Sequence, residues 1–236
     1  MSSKLFRGLY ETSIRGNRVF RNVLRPVRRS LGLSPMQKVL RRLRARGINL
    51  RSLRALELFG GSGAYHTVDY ADKVGGLEVW EIDPQLESSL RANLPNATIR
   101  IVDCYTELGR TPDRFDFVIV DNPMSTYGGH CEHFDLFPDI FRVVSAQAVL
   151  ILDVIPLVPP VALKRFPYLF NEEQRQRRSE FYKTTVPDNL SSETIVSAYR
   201  QRAELAGFEV EWSFTVRRHF VFYLALKVRR NGRANN

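Results

Sequence analysis

The chain is poor in cysteine, in long apolar runs and, over its first quarter, in acids. Its two cysteines, Cys104 and Cys131, stand far apart with no C-x-x-C pattern. That leaves neither a disulfide scaffold nor a zinc ribbon to expect, and it fits a reducing compartment. No apolar run approaches the roughly 18 residues needed to span a bilayer, and the first residues lack the continuous apolar core of a secretory signal. Internal repeats and low-complexity tracts are absent too, which sets aside a solenoid or a disordered tail. A soluble protein of the cytoplasm, at most peripheral to a membrane, is the expectation.

The shortage of acids is local. Residues 1–55 contain 15 Lys and Arg against one acid, Glu11, whereas residues 56–236 carry 20 against 24, so the overall net charge of +10 belongs to one segment. A polyanion or an anionic membrane would meet that segment first. Within it Phe6, Leu9, Tyr10, Ile14, Phe20, Val23, Leu24, Val27 and Leu31 recur mostly at three- and four-residue steps between arginines, a basic amphipathic pattern broken near Pro26. Ser34-Pro35 then reads as an N-cap followed by proline at the first helical position. Met36, Val39, Leu40 and Leu43 form a stripe that Gly47 ends. Residues 1–50 are therefore expected to be a basic helical extension. Its partner is RNA, an anionic membrane surface or, for an Arg-rich and acid-poor leader, an organelle import system; as a plain alternative it packs on the domain behind it.

From residue 51 to 236 the pattern is that of one α/β domain, and a 44% hydrophobic composition supplies a core for it. Buried-type strands at Ala55 to Phe59, Leu77 to Glu81, Ala97 to Val102, Phe115 to Val120 and Ala148 to Ile155 alternate with helix-length spacers, which implies a parallel sheet covered on both faces. Near the end Glu193 to Ala206 reads as a helix. Phe208 to Thr215 and Phe220 to Val228 follow as β-rich runs joined by a short basic turn, a hairpin that puts an antiparallel strand into the sheet. Residues 157–192 interrupt the alternation and are expected to be an insertion over the strand ends. There Lys164, Arg165, Phe166, Tyr168, Phe170, Arg175, Arg177, Arg178, Phe181, Tyr182 and Lys183 interleave charge and aromatics in a way that suits gripping a sugar or nucleotide, or simply a solvated helix.

The stretch "LELFGGSGAYHTVDY" breaks an apolar run with three glycines and then resumes as a helix candidate. In an open parallel sheet such a turn lies where ligands bind, beyond the carboxyl ends of the strands. A dinucleotide fingerprint needs glycine where this chain has His66, and a Walker loop needs Gly-Lys-Ser/Thr, so neither phosphate cradle is met. Instead acids stand at successive strand ends: Glu57, Glu81 and Asp103. Carboxylates are acceptors for a diol, an exocyclic amine and a cation, not for phosphates.

With these residues the chain resembles motif I and its successors in the class I S-adenosylmethionine-dependent methyltransferases. The resemblance implies a doubly wound, mostly parallel seven-stranded sheet with a C-terminal antiparallel hairpin strand. It implies S-adenosylmethionine as cofactor, with Glu57, Phe59, Gly61 and Gly63 at the turn, Glu81 on the ribose hydroxyls and Asp103 on the adenine amine. The fourth-strand segment "DNPM" falls where such enzymes meet the acceptor. Base-methylating members carry a second proline and an aromatic there, and Met124 departs from that pattern. Asp121 is the candidate catalytic acceptor of a proton or orienting group, with His130 from "YGGHCEHFD" as general base. Asn122, Pro123, Tyr127 and His133 are candidate substrate contacts. The spacing of His130, Cys131, Glu132, His133 and Asp135 matches no metal signature, and no metal is expected. The expected activity is methyl transfer to a small polar or glycan-like acceptor, free or lipid-linked. RNA methylation is the alternative, and so is an inactive methyltransferase-fold scaffold that binds through its basic arm.

Overall fold

A computed structural model describes residues 29, 31–121, 133–137, 139–165, 167, 171–218 and 221–232. The amphipathic pattern within residues 1–28 therefore lies outside the described residues, as do the side chains of Phe166, Tyr168 and Phe170.

The strands are β1 (Arg54–Leu58), β2 (Gly76–Glu81), β3 (Thr98–Ile101), β4 (Phe115–Val120), β5 (Val144–Val154), β6 (Phe208–Arg218) and β7 (Val221–Arg230), in the sheet order β3-β2-β1-β4-β5-β7-β6. β1 to β5 run parallel, and β7 lies antiparallel between β5 and β6. The expected mostly parallel sheet with its C-terminal hairpin is thus present. The largest changes from the expected bounds are that β5 starts at Val144, β6 runs on to Arg218 and β7 reaches Arg230; β4 keeps its bounds and the other ends that move do so by one residue.

Period-two alternation divides each central strand between two cores. In β4, Val118 and Val120 face one layer and Phe117 and Ile119 the other, while Phe115, beyond a register shift between Phe115 and Phe117, joins the layer of Val118. The first layer is closed by α3 (Cys104–Glu107), α5 (Glu172–Tyr182) and α6 (Ser192–Leu205). The second is closed by α1 (Pro35–Ala45) and α2 (Glu87–Asn93). α4 (Pro160–Arg165) opens the insertion between β5 and α6.

α1 begins as its sequence requires. Ser34 caps it with a reciprocal bond to Gln37, Pro35 occupies the first turn, and Met36, Val39, Leu40 and Leu43 are buried. It packs chiefly on β6 and β7, with Arg42 donating to the Thr215 carbonyl at 2.8 Å and the Arg46 guanidinium 4.6 Å from the Phe214 ring centre. The helix expected after the glycine turn does not form. Residues 61–75 make turns and one 3-10 segment, Thr67–Asp69. Gly61 and Gly63 both take positive φ, and Asp69 is drawn out of helical use by Arg29 at 2.9 Å and by the Ser34 hydroxyl at 2.7 Å. The segment still covers the sheet, with Tyr70 buried edge-on against Phe117 of β4.

The insertion is fastened from within. Arg178 is 1% exposed and donates to the carbonyls of Ile155 and Pro187, and Leu157 bridges to Asn189. Phe181 and Tyr182 are buried with it, so these three residues anchor the segment. Among the described residues no helix is long and apolar enough to cross a membrane.

Candidate active site

The carboxyl ends of β1, β2 and β3 converge on the glycine turn. β1 leaves the sheet through Phe59 at φ 63, an uncommon conformation for a residue with a side chain, and Gly61 and Gly63 follow at φ 56 and 72. The three glycines are small for different reasons. A Cβ on Gly60 would stand 2.2 Å from Val79 Cγ1, and one on Gly63 would stand 2.8 Å from Leu94 Cδ1, so both positions admit close packing of the turn on β2 and α2. A Cβ on Gly61 would meet nothing within 4 Å. Open space therefore lies in front of the turn at that residue.

Glu81, at the end of β2, organises this turn. Its Oε2 accepts from the Gly61 N–H at 2.6 Å, and its Oε1 accepts from the Ile82 and Asp83 N–H groups, both at 2.9 Å. Each carboxylate oxygen has about two acceptor positions, so Oε2 keeps one in hand. Asp103 caps α3, taking the Tyr105 N–H on Oδ1 at 3.1 Å and the Thr106 hydroxyl on Oδ2 at 2.8 Å. The Tyr105 ring it positions stands 6.0 Å from the Phe59 ring. Phe59, Gly61, Glu81 and Asp103 are brought to one rim.

Glu57 lies beneath that rim, on the face closed by α1. It is 3% exposed, takes a hydrogen bond from Thr67 at 2.9 Å and has the Tyr70 phenol beside it. Burial pushes its carboxyl up to about 8, against the hydrogen bonds, with the charges of Asp121 and Glu81 adding to the rise. Glu57 is thus a buried acid behind the turn and does not share the rim.

Asp121 follows β4 and belongs to a cluster that the sequence did not reveal. Arg218 Nη1, from the end of β6, lies 2.5 Å from Asp121 Oδ1 and 2.6 Å from Asp153 Oδ2 of β5. The Tyr223 hydroxyl of β7 donates to Asp121 Oδ2 at 3.1 Å, and the His66 ring meets Tyr223 edge-on with centres 5.7 Å apart. The antiparallel direction of β7 makes this meeting possible, since it places Tyr223 opposite Asp153 at the carboxyl end of the parallel strands. Burial pushes the Asp121 carboxyl up, but the adjacent Arg218 charge, a hydrogen bond from Asp153 and the charge of His66 outweigh it and hold the group below the ordinary carboxylate range. Burial and the Asp121 charge hold the Asp153 carboxyl well above that range, so it keeps its proton. Asp121 is accordingly held ionised and is a weak base.

His133 departs from its expected role. It is 0% exposed, its Nε2 lies 2.6 Å from the Tyr199 hydroxyl, and the rings of Phe134, Phe137 and Tyr199 surround it. Burial alone lowers its pKa to about 3. The apolar residues that follow it carry the chain into the core beside α6, so it is a packed core histidine and no substrate contact. Asn122, Pro123, Tyr127 and His130, with Met124, Cys131 and Glu132, lie outside the described residues.

Comparison with family models gives no match, and comparison with curated proteins by sequence gives none. Solved structures do match. Magnesium protoporphyrin IX methyltransferase from Synechocystis PCC 6803 with bound SAH has a TM-score of 0.53 and 15% identity over 83% of this chain and 82% of that one. The same protein with bound SAM gives 0.51 and 14%, covering 83% and 78%. A Galdieria sulphuraria protein assigned as a sarcosine dimethylglycine methyltransferase gives 0.51 and 12%, covering 83% and 85%. The chain has the fold of the class I S-adenosylmethionine-dependent methyltransferases.

Proposed function

We propose that the protein is an S-adenosylmethionine-dependent methyltransferase whose acceptor is a small polar or glycan-like molecule, free or lipid-linked. The observation that supports this most is the Glu81 and Gly61 pair: a strand-end carboxylate with an acceptor position to spare, next to a backbone turn with open space before it. Glu81 and Asp103 make the rim acidic, which suits a sulfonium nucleoside with a ribose diol and suits a phosphate poorly. Glu81 would take the ribose hydroxyls, Gly61 would admit the close approach, and Phe59 with Tyr105 would flank the base near Asp103. When bound, the cofactor supplies an electrophilic methyl group. The protein's part is to hold the acceptor in line and to exclude water. In this reading Asp121 orients the acceptor through the cluster around Arg218, and proton removal, where the acceptor needs it, falls to the His130 segment.

The test is calorimetry of the full chain with S-adenosylmethionine, repeated on Glu81→Ala, followed by transfer of labelled methyl to an extract separated into RNA, lipid, glycan and small molecules. Binding that weakens in the variant, with label in the glycan, lipid or small-molecule fraction, is expected. Absence of binding by the parent chain refutes the reading. Label in RNA favours the RNA methyltransferase alternative, for which the outward arginines of α1 speak. Binding without transfer favours a scaffold.

A further inference from the structure

We propose that Arg218 forms a binding site for an oxyanion carried by the methyl acceptor, a carboxylate or a phosphate, through the Nε–Nη2 edge of its guanidinium. Every hydrogen bond of this residue to a described residue is made by Nη1, which reaches Asp121, Asp153 and, at 3.3 Å, the Tyr223 hydroxyl. A guanidinium presents five N–H groups, and of the three that remain Nε–H and one Nη2–H form the edge that binds two oxygens side by side. The side chain is 25% accessible although its carboxylate partners are 9% and 0% accessible, so its accessible part lies away from the acids.

The position fits an acceptor subsite. Asp121, Asp153 and the tip of the β6–β7 hairpin stand at the carboxyl ends of β4 and β5, on the other side of the sheet's switch point from Glu81 and the glycine turn. The charge also fits. Arg218 holds the Asp121 carboxyl low while burial and the Asp121 charge hold the Asp153 carboxyl high, so the guanidinium faces less negative charge than two ionised acids would bring. Naming the oxyanion's bearer as the acceptor rests on the methyltransferase reading; the presence of the site does not.

The experiment uses the full chain labelled uniformly with 15N, with and without saturating S-adenosylhomocysteine. Sodium acetate, inorganic phosphate and the neutral analogue acetamide are titrated at constant ionic strength. The readouts are the Arg218 Nε–H signal, identified by its loss in R218K, and the backbone amides of Val221 and Tyr223. A saturable shift with acetate or phosphate is expected, with acetamide at least about tenfold weaker, as a charge-assisted pair of hydrogen bonds would give. Which anion binds more tightly separates a carboxylate from a phosphate. In R218Q the affinity falls at least about tenfold. It falls as well in R218K, which keeps the charge near Asp121 without the paired donors and so guards against a result that merely reports unfolding. The absence of a saturable shift with either anion, or an undiminished affinity in R218K, overturns the proposal. Failure of S-adenosylhomocysteine to bind counts against the methyltransferase reading alone, because the titration without it decides on the oxyanion site by itself.

Discussion

At the scale of single residues, Glu57 and His133 pull the pH dependence of stability in opposite directions. Glu57 has its ordinary value of 4.5 raised to about 8 by burial, so between those values the folded chain holds a proton that the unfolded chain has lost. Its contribution therefore declines as pH rises through that window. His133 is lowered from 6.5 to about 3, and its contribution declines as pH falls through that window. The two oppose each other between 4.5 and 6.5, and above 6.5 the His133 contribution is flat while Glu57 gives a falling slope, with the raised Asp153 acting in the same direction. Urea unfolding of Glu57→Gln from pH 6.5 to 8 should accordingly show a flatter profile than the parent, which loses up to about 1.4 kcal/mol per pH unit from this group. An unchanged slope would exclude a buried protonated Glu57. For His133, the ring proton resonances should stay constant from pH 5 to 8, and a titration there would place the ring in solvent. The sequence made Glu57 and Glu81 visible because each ends a strand beside the glycines. It misled on His133, where a polar neighbourhood in the chain drew attention away from Phe134, Leu136 and Phe137, the residues that take it into the core. It concealed Arg218 and Asp153 because no spacing rule joins a hairpin tip to a parallel strand 65 residues earlier.

At the scale of elements, the three glycines of the turn separate packing from binding. Gly60→Ala should cost at least about 1–3 kcal/mol through overpacking on Val79. Gly61→Ala should cost only about 1–2 kcal/mol, from its positive φ. The order should reverse in S-adenosylmethionine calorimetry, where the methyl at position 61 stands in the open space and that at position 60 does not. Equal affinity in Gly61→Ala and the parent would rule out a close approach of ligand there. The cap of α1 is a second such test. Ser34→Ala removes both the capping bond to Gln37 and the donor to buried Asp69, and thermal unfolding should report a loss of about 1–2 kcal/mol. The cap, the proline and the apolar stripe of α1 were legible because they are local. The short 3-10 segment in place of a helix after Gly63 was not, because Arg29 and Ser34, which take Asp69, come from another part of the chain.

At the scale of the whole molecule, charge and packing point α1 toward a polyanion. Its apolar face is fully buried against the sheet, while Lys38, Arg41, Arg42, Arg44 and Arg46 are exposed, with no acid in the helix to offset them. With Met36, Val39, Leu40 and Leu43 buried, the outward face of the helix is chiefly cationic, and a phosphate-bearing partner would meet those cations. Replacing Arg41 and Arg44 together by Glu in the full chain should reduce retention on RNA at 50 mM salt and lower the salt dependence of what remains. Liposome flotation that falls while RNA retention holds would point to the membrane instead.

The contact between α1 and the C-terminal hairpin also dictates how the chain can be made. Arg42 and the Thr215 carbonyl it holds are 173 residues apart, so at synthesis rates of roughly 5–20 residues per second the helix waits about ten to thirty seconds for β6 and β7 to follow it. Throughout that interval Met36, Val39, Leu40 and Leu43 lack the strands that cover them. Acquisition of the native state is therefore a late event in the life of each nascent chain, completed only when the strands that carry Arg218 and Tyr223 have left the ribosome.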